Sequence, residues 1–365
     1  MKKKNIVVSA VNLVNGGTFS ILLDCVDKLV KINKNNDYNL YVLVNSKKSL
    51  PFYDNITYLE FPLSKKNWLF RLYYEYIYFY FLSIKLKSNV WISLHDMTPN
   101  VKADKQYVYM HNATPFYNRS KKEKLSFKLR LFIKFYKYIY KINVKKNTAI
   151  IVQQDWLRND ISVLCKVPKE KIIVSYPECE ELVISDSFLK GVFFFPSFPR
   201  EFKNFEIICK AAKILKNRNL NDDKWQVILT IDGTENFYSK DIYTKYSHID
   251  NIKFIGLQNR ENMIELYNNA ECLIFPSKLE TWGLPISEFK SSSKKMILSD
   301  LPYAKETSNG AKQVSFFNPN DENALASIML DVINGNSNSF YENNLRNINQ
   351  PFFMNWSDLL KYLIF

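Results

Sequence analysis

The sequence predicts an α/β protein made of two successive doubly wound parallel-sheet units. Three observations carry this. Short β-branched or aromatic runs alternate with longer segments of helical period. The alternation restarts after a Pro-led acidic stretch at 178–190. The few glycines, eight in 365 residues, cluster just beyond strand candidates, where open α/β sheets bind ligands.

In chain order the first series reads NIVVSA (5–10), YNLYVLV (38–44), VWISL (90–94), QYVYM (106–110), AIIVQ (149–153) and KIIVSY (171–176). The second reads GVFFF (191–195), WQVILTIDG (225–233), NIKFIG (251–256), ECLIFPS (271–277) and KMILSD (295–300). Between strands, YYEYIYFYF (73–81) is apolar nearly all round, which predicts a core helix rather than a lipid-facing one. FEIICKAAKIL follows the first strand of the second series as a helix, and another helix starts near Pro285, a residue suited to a first turn. The expected domains are 1–183 and 184–351, with the apolar helical segment 352–365 crossing back to the first.

Composition narrows the function classes. Hydrophobic residues at 47% and charged residues at 24% describe a folded globular chain. The +14 net charge sits entirely in the first half: residues 1–180 carry 30 basic and 14 acidic side chains, residues 181–365 carry 20 and 22. Five scattered cysteines without a C-x-x-C pair indicate neither a disulfide framework nor zinc, so a reducing cytoplasm is expected. The apolar run after MKKKN is too short for a secretory signal, and Trp68–Ile84, interrupted by Arg71 and Glu75, is too short to span a bilayer.

Three constellations can carry chemistry. Asn15-Gly16-Gly17-Thr18 lies between a strand and a helix, where absent β-carbons admit a ligand to backbone N–H groups; alone, it is equally a tight turn. PSFPREFKNFE (196–206) brings Arg200 and Lys203 to a strand end before a helix, either a diphosphate cradle or a pair of solvated charges. PSKLETWGLPISEFKSS (276–292) separates Glu280 and Glu288 across Gly283, and a carboxylate in such a loop can accept two sugar hydroxyls at once; the alternative is that Glu288 is a helix-dipole partner and Glu280 a surface acid. G-x-G-x-x-G, Walker and D-x-D patterns are absent, and His95, His111 and His248 form no ligand cluster.

Gly16-Gly17, His111 in VYMHNATPFY, the Arg200/Lys203 loop, FIG at 254–256, the E-x7-E of Glu280 and Glu288, and FFNPND at 316–321 together resemble the retaining glycosyltransferases of family 4. The resemblance covers nearly the whole chain in order. It implies a GT-B fold, two Rossmann-like domains facing a central cleft, and metal-independent transfer from a nucleotide-sugar donor that is substrate rather than cofactor. It implies Glu280, His111 and Lys203 at the reacting centre. It also implies Glu288 on the nucleotide ribose, backbone at Trp282, Gly283 and Leu284 against sugar or diphosphate, Gly16 and Gly17 over the phosphates, and Gly256 and Leu257 near the base. The sequence departs from the family where Ser197-Phe198 replaces the usual Gly-Arg, leaving Arg200 as the available arginine. An epimerase or a phosphorylase of the same fold is the enzymatic alternative.

Residues 119–146 hold eleven cations against Glu123, and Arg130, Lys134, Lys137 and Lys141 share one helical stripe, with Leu125, Phe132, Phe135, Tyr136, Ile139 and Ile142 opposite. Such a helix suits an anionic membrane surface, each cation contributing about 1 kcal/mol, and equally suits a domain helix that buries its apolar face in the core beneath a solvated basic back. The expected partners are therefore the donor, a glycan or polyprenyl-diphosphate-linked acceptor and the inner face of the cell membrane. Basic charge alone also suits a nucleic-acid binder, but no binding motif accompanies it, so no nucleic acid is expected.

Overall fold

The computed structural model describes residues 3–117, 127–179, 182–218, 225–344 and 346–365. It divides into Met1–Glu178 with Ile348–Phe365, and Cys179–Asn347.

The first unit runs β1 (Lys4–Ala10), α1 (Gly16–Ile32), β2 (Tyr38–Val44), β3 (Ile56–Glu60), α2 (Trp68–Tyr73), α3 (Phe79–Lys85), β4 (Val90–Ser93), β5 (Lys105–Met110), α4 (Phe127–Lys141), β6 (Ala149–Val152), α5 (Asp155–Cys165) and β7 (Ile172–Ser175). The second runs β8 (Val192–Phe195), α6 (Phe205–Asn217), β9 (Gln226–Leu229), α7 (Phe237–Tyr246), β10 (Ile252–Phe254), α8 (Arg260–Asn269), β11 (Cys272–Phe275), α9 (Leu284–Lys290), β12 (Lys295–Ser299), α10 (Pro302–Thr307), β13 (Val314–Phe317) and α11 (Glu322–Ile333). The chain then returns to the first unit as β14 (Phe352–Phe353) and α12 (Trp356–Ile364).

Both sheets are parallel. The first has the order β14-β7-β6-β5-β4-β1-β2-β3, the second β10-β9-β8-β11-β12-β13. Central strands such as VFFF of β8 and CLIF of β11 are buried on both faces, which explains their unbroken apolar runs. In each sheet the winding reverses once, between β1 and β4 and between β8 and β11, and the loops leaving those strands line the crevice where such sheets take ligands.

The seam lies at 178/179 rather than 183/184, and the return begins at 348 rather than 352. The reason is local: Arg158 donates to the carbonyls of Asn349 (2.7 Å) and Pro351 (2.8 Å), and β14 pairs with β7, so the segment ahead of α12 is already held by the first unit. Strands β3, β13 and β14 are additions to the expected set; β3 is a sheet edge of half-exposed residues and β14 spans two residues.

Two helices correct the sequence reading. The run Tyr73–Phe81 is not wholly core: Glu75 and Phe79 within it, and Arg71 and Leu82 flanking it, are buried, while Tyr73, Ile77, Tyr80 and Phe81 are exposed. In α4 the four cations are exposed as expected and Tyr136 and Ile139 are buried, but Phe135 and Ile142 are exposed, because the buried arc is narrower than the apolar one. Leu125 and the cations at 119–124 lie outside the described residues. Among the described residues no helix is long and apolar enough to cross a membrane.

Candidate active site

At the switch point of the second unit, the loop after β8 makes a short 3-10 turn at Glu201–Lys203 and passes into α6 through Asn204, which has a left-handed backbone (φ 63°). Asn204 is buried, and its amide donates to the carbonyls of Pro276 (3.2 Å) and Pro319 (2.8 Å). The Lys278 N–H donates to the Phe202 carbonyl at 2.7 Å. Three loops, leaving β8, β11 and β13, are thereby stitched together. In this frame Lys203 Nζ donates to Glu280 Oε1, both side chains being mostly covered, and the ammonium lies 5.7 Å from the centre of the Phe275 ring. Arg200 is exposed, its guanidinium carbon 5.9 Å from the Phe202 ring.

The rest of the loop fixes Glu288. Gly283 adopts φ 92°, and a Cβ there would come within 3.2 Å of Ile286 Cδ1, so glycine is required at the entry to α9. Trp282 is held on both sides: its indole N–H donates to Ser287 Oγ at 2.8 Å, and Thr307 Oγ1 donates to its carbonyl. Leu284 is partly exposed. Glu288 accepts from Tyr267 OH at 2.7 Å on one oxygen and from Arg260 Nη1 at 2.7 Å on the other. Burial first, and then this carboxylate, hold the Tyr267 phenol well above its ordinary range. Glu288 thus has a fixed orientation, with Tyr267 beneath it and the half-exposed Arg260 outside. The Gly256 turn (φ 68°) packs on the Asp232 loop so closely that a Cβ would meet Asp232 Oδ2 at 2.8 Å, and Leu257 beyond it is exposed.

At the switch point of the first unit, Gly16 (φ 64°) and Gly17 open α1, and a Cβ added to either would touch nothing within 4 Å. His111 follows β5 and is organised by Asp96, a left-handed residue (φ 68°) after β4. Asp96 Oδ1 accepts the backbone N–H groups of His111 (2.8 Å) and Asn112 (3.1 Å) and the Tyr140 hydroxyl (3.1 Å), and lies 3.8 Å from His111 Nδ1.

Beneath it is a buried polar cluster. Arg71 Nη2 lies 3.4 Å from His95 Nδ1 and 3.1 Å from the His95 carbonyl, while His95 Nε2 faces Ser9 Oγ at 3.1 Å and Glu75 Oε1 at 3.2 Å. A guanidinium at Nδ1 requires an unprotonated nitrogen there, so the imidazole proton sits on Nε2. Burial raises the Glu75 carboxyl to about 8, opposed by Arg71, and pushes the His95 imidazole well below its usual value.

Of the residues expected at the site, Lys203 and Glu280 are brought into direct contact, Glu288 is presented on its own support, and Arg200 stands apart on the Phe202 ring. Asp96, Asn204, Arg260 and Tyr267 are additions. Among the described residues no group of three or more His, Cys, Asp or Glu is placed to hold a metal ion.

Residues 189–348 match the sequence model of the family described as glycosyl transferases group 1. The O-antigen chain mannosyltransferase RfbU of Salmonella typhimurium is 24% identical over 271 residues, 70% of each protein. Among solved structures, WaaG, a glycosyltransferase involved in lipopolysaccharide biosynthesis, matches with a TM-score of 0.63 at 11% identity over 90% of both chains. Anabaena HepE, in complex with UDP-glucose, matches at 0.61 and 14% identity over 91% of this chain and 90% of its own.

Proposed function

We propose that this chain, whose second unit matches the glycosyl transferases group 1 model and whose fold is GT-B, moves a hexosyl group from a nucleoside-diphosphate sugar to a glycan or lipid-linked acceptor, with retention at the anomeric carbon, in the assembly of a surface polysaccharide. The observation that carries the reading is the Lys203–Glu280 pair at the β8/β11 switch point, with Glu288 held by Tyr267 and Arg260 on the helix that follows.

In this reading Glu288 accepts the two ribose hydroxyls and Glu280 receives hydroxyls of the transferred sugar. As the bond from the anomeric carbon to the diphosphate oxygen breaks, negative charge grows on the leaving group, and Lys203 and Arg200 offset it, so that the chain itself supplies the charge compensation. The acceptor oxygen attacks from the same face, and its proton passes to the departing phosphate, which accounts for retention without an enzymatic nucleophile. Gly16 and Gly17 cover the phosphates and His111 approaches the donor sugar. Similarity to an O-antigen mannosyltransferase and to a structure bound to UDP-glucose supports the donor and product classes. The reaction takes place at the cytoplasmic membrane face, where a soluble activated sugar meets a lipid-borne acceptor.

The test is turnover of a panel of nucleoside-diphosphate sugars, with the product anomer read by NMR. A single preferred donor giving a product of unchanged anomeric configuration is expected. Nucleoside diphosphate binding without turnover on any donor, or an inverted product, would overturn the reading.

A further inference from the structure

The helical run Trp68–Lys85 is continuous, with a five-residue π turn at Tyr74–Tyr78 joining α2 to α3. At roughly 100° per residue, Leu69, Tyr73, Ile77, Tyr80, Phe81 and Ile84 fall within an arc of about 120°. The arc opposes the buried face formed by Arg71, Glu75, Phe79 and Leu82. Every one of the six is exposed, Leu69 by 77%, Phe81 by 65% and Ile77 by 52%. A solvent-facing apolar stripe of this length marks an interaction surface.

Its surroundings identify the partner. Trp68 packs edge-on against Phe135 of α4 at 4.8 Å, so the stripe adjoins the exposed face of α4, where Leu131 and Tyr138 stand among Arg130, Lys134, Lys137 and Lys141. Between Phe61 and Leu94 the one acid is Glu75, which is buried, and residues 127–146 contain none. Among the described residues both helices therefore present apolar and aromatic side chains together with lysines, and neither exposes a carboxylate of its own. A second copy of this chain would set cation against cation across a twofold interface. An anionic bilayer matches both features, the apolar stripe entering the headgroup boundary and the cations resting on phosphates.

We propose that Leu69, Ile77 and Phe81 insert into an anionic lipid surface alongside the basic face of α4, docking the first unit on the membrane. This deepens the lipid-linked-acceptor reading, on which it rests for its purpose, by naming the element that enters the lipid.

The test is flotation of the full chain with vesicles of phosphatidylcholine containing about one third phosphatidylglycerol, against pure phosphatidylcholine. The expected result is binding to the anionic vesicles that falls about 100-fold or more in the Leu69→Ser/Ile77→Ser/Phe81→Ser variant. An Ile77→Trp reporter should be quenched by brominated lipid. Hydrolysis of the donor sugar in the absence of vesicles should be unchanged in the triple variant, and its loss in wild type would count against the enzymatic reading alone. Equal flotation of wild type and triple variant, or an unquenched reporter, would overturn the insertion. So would a wild type that is dimeric where the variant is monomeric, which would make the stripe a contact between copies.

Discussion

Glu288 has two duties that substitutions can separate. Its Oε2 is the acceptor for the hydroxyl of Tyr267, a residue with no exposed surface, while the carboxylate as a whole is proposed to receive the ribose diol. Glu288→Ala strands the Tyr267 hydroxyl, costing about 1–3 kcal/mol; the half-exposed Arg260 contact adds little. In a unit of this size that lowers the melting temperature by about 2–12 °C. Losing charge-assisted hydrogen bonds to the diol raises the donor KM by about 10- to 100-fold. Glu288→Gln keeps an acceptor for Tyr267 and should recover most of the stability. The decisive assay uses a 2′-deoxyribose donor: wild type should discriminate against it about tenfold or more, and Glu288→Ala hardly at all. Equal discrimination in both enzymes would refute the ribose assignment and leave Glu288 as a packing residue.

Other consequences follow from the same geometry. Glu280→Ala should lower kcat by about 100-fold or more with donor KM within a few-fold, and Lys203→Ala should lower both kcat and donor affinity, since it also leaves the mostly covered Glu280 carboxylate without its cation; steady-state kinetics check both. Gly17 has no positive φ and empty space about it, so Gly17→Val should leave the melting temperature within about 2 °C while raising the donor KM; a wild-type KM would remove the phosphate-loop role. Glu75, with a folded value of about 8 against 4.5 for an unperturbed carboxyl, binds its proton more tightly when folded, so its contribution to stability is present at low pH and lost as pH rises toward 8. His95 opposes it only below about 6.5, where the unfolded imidazole takes up a proton. Between about 6.5 and 8 the first unit should therefore lose stability as pH rises, and Glu75→Gln should flatten that slope in denaturant titrations.

The parallel sheets were legible because strands buried on both faces leave runs such as VFFF and CLIF, and because Gly16 and Gly283, both at positive φ, mark the turns from a strand into the following helix. Glu280 and Glu288 stood out because their loop and helix follow a strand end directly. Their partners did not, since Tyr267 and Arg260 reach Glu288 from 21 and 28 positions away. Asn204 looks like an ordinary helix start until its left-handed backbone turns its amide onto two proline carbonyls. Asp96 was hidden for the same reason, its function being to accept backbone N–H groups from a neighbouring loop. The Trp68–Lys85 helix shows where periodicity stops deciding: apolar side chains all round define two faces, and only the packed structure tells which one the core takes.

A crystal structure of the chain with a non-hydrolysable nucleoside-diphosphate sugar examines the donor assignment most directly. The diphosphate should be found within hydrogen-bonding distance of Lys203, with the ribose on Glu288 and the sugar on Glu280. A donor bound elsewhere, with Glu288 still engaged only by Tyr267 and Arg260, would contradict it.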